Sequence, residues 1–371
     1  MKIAIVGLGA AGSATLLEAA AAGFEVMGYE QFEIGHDLGS SHGASRLIRR
    51  TYPDFFHSRW MAAAYEAWLK AEDRTGEELL VTCGGLTFGP ESDATLKATR
   101  NALVDCGLAH DVLSREAVAE RFPSLDIGEG AVGVYQADSG FLRADLCVRS
   151  QVEAAKKLGA VVHESSRVIE IEEAGGGVTV VTDHGSERFD AAVVTAGPWL
   201  GKLLRGLRLP LQVMLRQTIY LGVEGEERFA PGEFPVWIHH PTDHYGFPSD
   251  GVSPGIKVAW HHGGPEVDPS LPDRPVMEDL AISVRDHARK YIAGITGNII
   301  SAKACLYTVT PDERFILDFV PGSRRQIVCS GCSGHGFKFS ALLGELTVAM
   351  VREGRTRADA EPWSLARFGR K

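Results

Sequence analysis

The sequence predicts an α/β fold in which a Rossmann-like dinucleotide-binding domain is interleaved with a mixed-sheet substrate domain. Three observations predict it. A glycine-rich turn joins an apolar strand to an Ala- and Leu-rich helix at the start of the chain. The middle of the chain is a series of short β-branched runs separated by turns. Near residues 327–353 a second strand, glycine turn and helix return the chain to the first domain. A length of 371 residues suits roughly two domains of about 150 residues each.

The opening elements justify the first part of that prediction. Residues 2–6 form a short apolar run, followed at once by Gly7-Leu8-Gly9-Ala10-Ala11-Gly12. Residues 13–22 favour helix, Gly23 ends it, and residues 24–29 form a second strand that runs into Glu30. The first glycine permits a tight turn, the second lets main chain approach a pyrophosphate, and the third lets helix pack on strand. The helix N-terminus offers unpaired N–H groups to phosphate. Glu30, 18 residues beyond Gly12, can accept from a ribose hydroxyl. This context separates the motif from a bare glycine turn, but not NAD from FAD.

The remaining elements follow in order. Residues 39–50 form a polar loop with His42, Arg46, Arg49 and Arg50, which suits either a phosphate or carboxylate partner or a solvated basic surface. A helix is expected over 57–72, with Trp60, Ala64 and Trp68 on one face. Residues 79–88 read as one strand, and Ser114 caps a short helix ending before Pro123. A helix over 142–158 precedes three or four short strands in 161–190 and an apolar strand at 191–195. Residues 234–245 and 255–261 each read as a strand of a second sheet, with helices over 277–295 and 337–353. The dinucleotide domain is thus expected in three passes, 1–80, 141–210 and 300–371, and the substrate domain in 81–140 and 211–299.

Bulk properties narrow the function. A net charge of −10 argues against a nucleic-acid surface, which needs concentrated Lys and Arg. Six cysteines in so long a chain make no disulfide framework and suggest a reducing compartment. The apolar stretch 3–27 holds Gly7, Gly9, Gly12 and Glu18, and serves as strand and turn rather than as signal or membrane span. A cytoplasmic protein with a small-molecule partner, and neither nucleic acid nor membrane, is expected.

Two C-terminal segments, CLYTVTPDE from Cys305 and SGHGFKFS from Ser333, are the most specific features. With residues 39–50 they make the chain resemble the monomeric sarcosine oxidase and N-methyltryptophan oxidase family of flavoenzymes over nearly its whole length. The resemblance implies FAD, attached covalently through Cys305, and a monomer. It implies cofactor contacts at Gly7, Gly9, Ala10, Ala11, Gly12, Glu30, Gln31, His42, Ser45, Arg46, Val168, Ala196, Gly197, Gly334, Gly336, Phe337 and Lys338. Arg49 and Lys338 match the pair that holds a substrate carboxylate, a bidentate fork and a point charge. Lys257 matches the lysine that promotes reaction with O2, and His261, Tyr245 and Tyr307 match residues shaping the pocket. The implied reaction oxidises a secondary, N-methyl amino acid such as sarcosine to an imine. Hydrolysis then gives formaldehyde and the demethylated amino acid, with O2 reduced to H2O2. A cyclic imino-acid oxidase, a dehydrogenase with another acceptor, and a non-catalytic flavin-binding protein are the alternatives.

This chain departs from the family at Ser41 and Ala44, where a histidine and an aspartate are common, and before Tyr245, at residues 237–241. The Cys329–Cys332 spacing and the pairs His239-His240 and His261-His262 invite metal readings. The cysteine pair has no second ligand pair, and neighbouring strand residues face opposite ways, so no metal is expected.

Overall fold

The computed structural model describes all residues except 272–273, 331–332 and 370–371. A six-stranded sheet runs in the order Ile316–Phe319, Gln326–Ser330, Ala191–Val194, Lys2–Val6, Glu25–Tyr29, Val161–His163. All its neighbours are parallel except the Ile316–Phe319 edge. Its central strands are almost wholly apolar, as burial on both faces requires. Helices Ala10–Ala21, Ala144–Lys157 and Ser340–Glu353 pack together beside this sheet, with Phe55–Thr75 against the last two. Trp60, Ala64 and Trp68 all turn inward from Phe55–Thr75 into this core.

Gly12 shows how tightly the first turn is closed. A side chain there would run into Gly7 O and the Thr195 hydroxyl, so only glycine lets the helix leave the strand at this angle.

An eight-stranded sheet carries the second core. Its order is Ile295–Val309, Gln212–Val223, Ile256–Trp260, His244–Gly246, Val236–His239, Gly85–Pro90, Ala131–Gln136, Asp111–Leu113. Two three-stranded sheets complete the chain. One is the meander Val168–Ala174, Gly177–Thr182, Gly185–Phe189, and the other sets Gly140–Arg143 between Ser45–Ile48 and Leu80–Thr82.

Five expectations are corrected, the first being that residues 234–245 form not one strand but a hairpin of two, Val236–His239 and His244–Gly246. The boundary at residue 300 falls inside the strand Ile295–Val309, whose pairing with Gln212–Val223 carries residues 300–309 into the second sheet. The strand expected over 79–88 is two, because the chain turns at Gly84 and passes from the small sheet to the large one. The helix expected over 277–295 is Glu278–Ala288. The last helix starts at Ser340, so Lys338 lies in the 3-10 turn Phe337–Phe339 ahead of it.

Candidate active site

One cavity of about 1260 Å³ runs from the glycine turn at Gly7 to Lys338. Small-molecule sites usually occupy roughly 300–1,000 Å³, so this one has room for a large cofactor and a substrate.

Its first end is main chain. Gly7, Leu8, Gly9, Ala10 and Ala11 line it, at the N-terminus of Ala10–Ala21. Glu30 is buried and fixed by backbone donors: Leu8 N–H reaches Oε2 at 2.8 Å and Phe32 N–H reaches Oε1 at 3.2 Å. A carboxylate has about four acceptor sites, so capacity for ribose hydroxyls remains. Gln31, Val168, Ala196 and Gly197 line the same region. Gly12 does not, since its place is in the packing behind the turn.

The loop at 39–46 is tied to the first turns of two helices. Ser41 Oγ accepts from Ala10 N–H at 2.9 Å, and Gly43 N–H donates to Asp145 Oδ1 at 2.8 Å. Arg46 pins the loop through the carbonyls of Ser40, His42 and Ser45 and faces the Phe337 ring. His42 lines the cavity with both ring nitrogens buried and without a hydrogen bond. Burial, with Arg46 and Lys303 nearby, pushes its pKa down to about 3, so it is neutral.

The middle of the cavity is set by strand register. Arg216 lies opposite Cys305, Met214 opposite Tyr307, and Tyr245 opposite Ala259. Lys257 is buried, and its Nζ donates to Ser45 O at 2.5 Å and lies 3.2 Å from Ser45 Oγ. Ser45 therefore sits behind Lys257 rather than on the cavity wall. Burial, then the charge of Arg46, brings the Lys257 pKa down to about 7. Cys305 is a buried free thiol. Burial pushes its pKa up, against the pull of Arg46, Lys257, Arg216 and Arg274.

The far end is made of side chains. The Tyr245 and Tyr307 hydroxyls are 3.3 Å apart, and His261 lies against Tyr307 with ring centres 5.2 Å apart. Burial pushes His261 down to about 3. A side chain on Gly334 would strike the Tyr307 ring, so the glycine segment closes directly over that tyrosine. Gly336 and Phe337 continue the wall.

Arg49 and Lys338 meet at Tyr52. Lys338 Nζ donates to Tyr52 Oη at 3.0 Å and to His335 O at 3.1 Å, and Arg49 lies 4.9 Å from the centre of the Tyr52 ring. His335 Nε2–H donates to Glu313 O at 2.8 Å, which leaves Nδ1 to accept from Tyr52 O–H at 3.0 Å. Burial lowers the pKa of both cations, and the charge of Arg49 lowers Lys338 further. Among the described residues neither forms a salt bridge with a carboxylate. A site holding two such cations side by side, one of them deeply buried, is complementary to an anion.

Sequence reasoning missed Tyr52, His335, Ser41 and Arg216. Arg216 is buried, donates to the carbonyls of Leu215, His261 and Gly263, and stacks over Tyr307. Among the described residues no group of His, Cys, Asp or Glu is arranged to hold a metal ion, and Cys332 lies outside those residues. No helix among them is long and apolar enough to cross a membrane.

The profile of the FAD dependent oxidoreductase family matches residues 2–350. The chain belongs to that family. Peroxisomal sarcosine oxidase of Homo sapiens is 32% identical over 98% of this chain and 95% of its own length. Monomeric sarcosine oxidase of Streptomyces avermitilis is 31% identical, covering 95% and 94%. N-methyl-L-tryptophan oxidase of Yersinia pestis is 30% identical, covering 98% of each. Among solved structures, the amino acid oxidase NikD in its open form superposes with a TM-score of 0.85 at 22% identity, over 98% of this chain and 96% of that one. Glycine oxidase from Geobacillus kaustophilus gives 0.83 at 20%, over 98% of each. These two likenesses concern the fold.

The residues present fit FAD. The unpartnered ring of His42, the glycine turn at the helix N-terminus and the open acceptor sites of Glu30 all face the cavity.

Proposed function

We propose that this chain is an FAD-dependent oxidase of a secondary amino acid, with sarcosine as the simplest substrate. The observation that carries the reading is the pair Arg49 and Lys338, joined at Tyr52 without a carboxylate, at the far end of a cavity that begins at a dinucleotide turn. The names of the curated relatives, sarcosine oxidases and an N-methyl-L-tryptophan oxidase, support the same class.

In this reading Gly7, Gly9, Ala10, Ala11 and Glu30 hold the dinucleotide, while His42, Arg46 and Phe337 border the ring system. Bound FAD supplies the two-electron acceptor. Cys305 is its attachment point; burial holds the thiol pKa up, and the cations around it offset that burial only in part. Arg49 grips the substrate carboxylate and Lys338 adds a second charge. Their positive field and the burial of the site disfavour a protonated substrate amine, so the amine is held in the neutral form that can be oxidised. Tyr245, Tyr307 and His261 exclude water around the reacting carbon. Lys257, charged below about pH 7, stabilises the negative charge that develops on O2. The described thiols at Cys83, Cys106, Cys147 and Cys305 are free, in keeping with a cytoplasmic setting.

The test is to add sarcosine to the yellow holoenzyme without oxygen and follow visible absorbance. Bleaching that reverses quickly in air is the expected result. Slow reversal would assign an acceptor other than O2, and no bleaching by any carboxylated secondary amine would overturn the reading.

A further inference from the structure

The turn between Val236–His239 and His244–Gly246 has two faces. On one, His239 Nδ1 lies 2.9 Å from Thr242 Oγ1, and His244 and His287 stack with ring centres 3.7 Å apart. These groups lock the turn to the helix Glu278–Ala288. The other face holds His240 and Asp243, and both line the cavity.

His240 is 9% exposed, and neither ring nitrogen has a hydrogen-bond partner. An imidazole so placed is costly unless a ligand completes it. Asp243 is held by main chain: its N–H donates to His239 O at 2.8 Å and its carbonyl accepts from His261 N–H at 3.0 Å. Its φ of 54° is a left-handed conformation that Asp and Asn tolerate best after glycine. Oδ2 accepts from His262 Nε2–H at 2.8 Å, whereas Oδ1 is 3.7 Å from His240 Nδ1, beyond hydrogen-bond length. Burial pushes the carboxyl up, but His240 and His262 outweigh it and bring the pKa to about 2. Asp243 is thus charged, with Oδ1 near His240 but, among the described residues, within hydrogen-bond length of no donor, and its charge reaches both Arg49 and His261.

We propose that Asp243 and His240 form a specificity subsite for a substrate side chain ending in a cation, a guanidinium or ammonium, on an amino acid whose carboxylate is held by Arg49 and Lys338. This rests on the reading of the site as a secondary amino acid oxidase. The bound substrate, its amine neutral, then carries one charge at each end, each matched by an opposite charge of the site. Oδ1 takes the cationic end and His240 accepts a second N–H. The Asp243 side chain is 41% exposed, so water competes and the gain is that of a rim pair.

The experiment measures steady-state kcat/KM of the holoenzyme in air-saturated buffer with sarcosine, Nα-methyl-L-arginine and its neutral isostere Nα-methyl-L-citrulline. The arginine compound is expected to exceed the citrulline compound by about fivefold, carried mainly by KM. In Asp243→Asn, which keeps shape and backbone preference, that ratio falls to about one. Added salt lowers the wild-type ratio as well, and this reading does not depend on the variant folding. A wild-type ratio of one, a ratio insensitive to salt, or a ratio that survives in Asp243→Asn overturns the subsite. If sarcosine still bleaches the enzyme in those cases, the amine-oxidase reading stands without it. If no secondary amino acid does, both fall.

Discussion

At the Gly7 end of the cavity the wall is main chain, whereas at the Lys338 end it is side chains drawn from remote segments. The first end follows from local rules: strand, turn and helix are consecutive, and the demand for glycine at position 12 comes from a carbonyl five residues earlier. The second end depends on tertiary placement. Lys338 reaches Tyr52 across 286 residues of sequence, and His335 reaches it across 283. A main-chain wall suits a cofactor whose form is fixed, because it cannot drift without loss of the fold. A side-chain wall can change with the substrate. Variants at the two ends should therefore fail differently.

The largest effect is expected at the main-chain end. Gly12→Ala drives a methyl into Gly7 O, which backbone must move to relieve. A loss of about 3 kcal/mol or more is expected, together with loss of bound flavin. Thermal unfolding and flavin content of the purified protein check this. A yellow, equally stable variant would show that the turn is looser than its geometry implies.

Variants at the cation pair should leave the fold and the yellow colour in place. Lys338→Met is expected to lower kcat/KM about 100-fold, since one member of a charge-assisted pair is removed. Arg49→Lys keeps the charge and loses the fork, and a fall of about tenfold is expected. If Arg49→Lys proves the worse of the two, the geometry of the fork outweighs the buried charge. Flavin content unchanged in both would confirm that the two ends are separable.

Lys257 sits between the ends and tests them by pH. Its ammonium is lost as pH rises through about 7, because burial disfavours the charged form. The O2 half-reaction should then slow as pH rises through that value, by about tenfold if the charge supplies the stabilisation. Lys257→Met should abolish this pH dependence and slow the O2 step while sparing the bleaching step. Rapid mixing of substrate-bleached enzyme with oxygenated buffer separates the two.

What the sequence disclosed follows the same division. The opening strand, the glycine turn and Glu30 were legible because each rests on a spacing of fewer than about 20 residues with a stereochemical cause. Lys257, His261, Tyr245 and Tyr307 came through resemblance, and the structure gathers them on one cavity. Tyr52 carried no local signal, since a tyrosine beside an arginine-rich loop looks like any buried aromatic, and His335 lay inside the SGHGFKFS segment without a role of its own. The strand at 79–88 misled because both of its halves are β, and only the turn at Gly84 shows that they join different sheets. Asp243 lay inside the stretch 234–245 read as strand, and its position beside His240 appears only once the hairpin is closed.

The smallest effect sharpens the comparison most. Ser41 stands where relatives commonly carry histidine, and its hydroxyl caps Ala10 N–H from a distant loop. Ser41→Ala should cost the apoprotein about 1 kcal/mol, as loss of a helix N-cap does. Bound dinucleotide brings a phosphate to the same helix end and can accept the amide that Ser41 releases. The holoenzyme should therefore lose less than the apoprotein, and the difference in unfolding midpoint between the two forms should widen in the variant. An equal loss in both would place the phosphate away from Ala10 and shift the cradle toward Gly7 and Gly9.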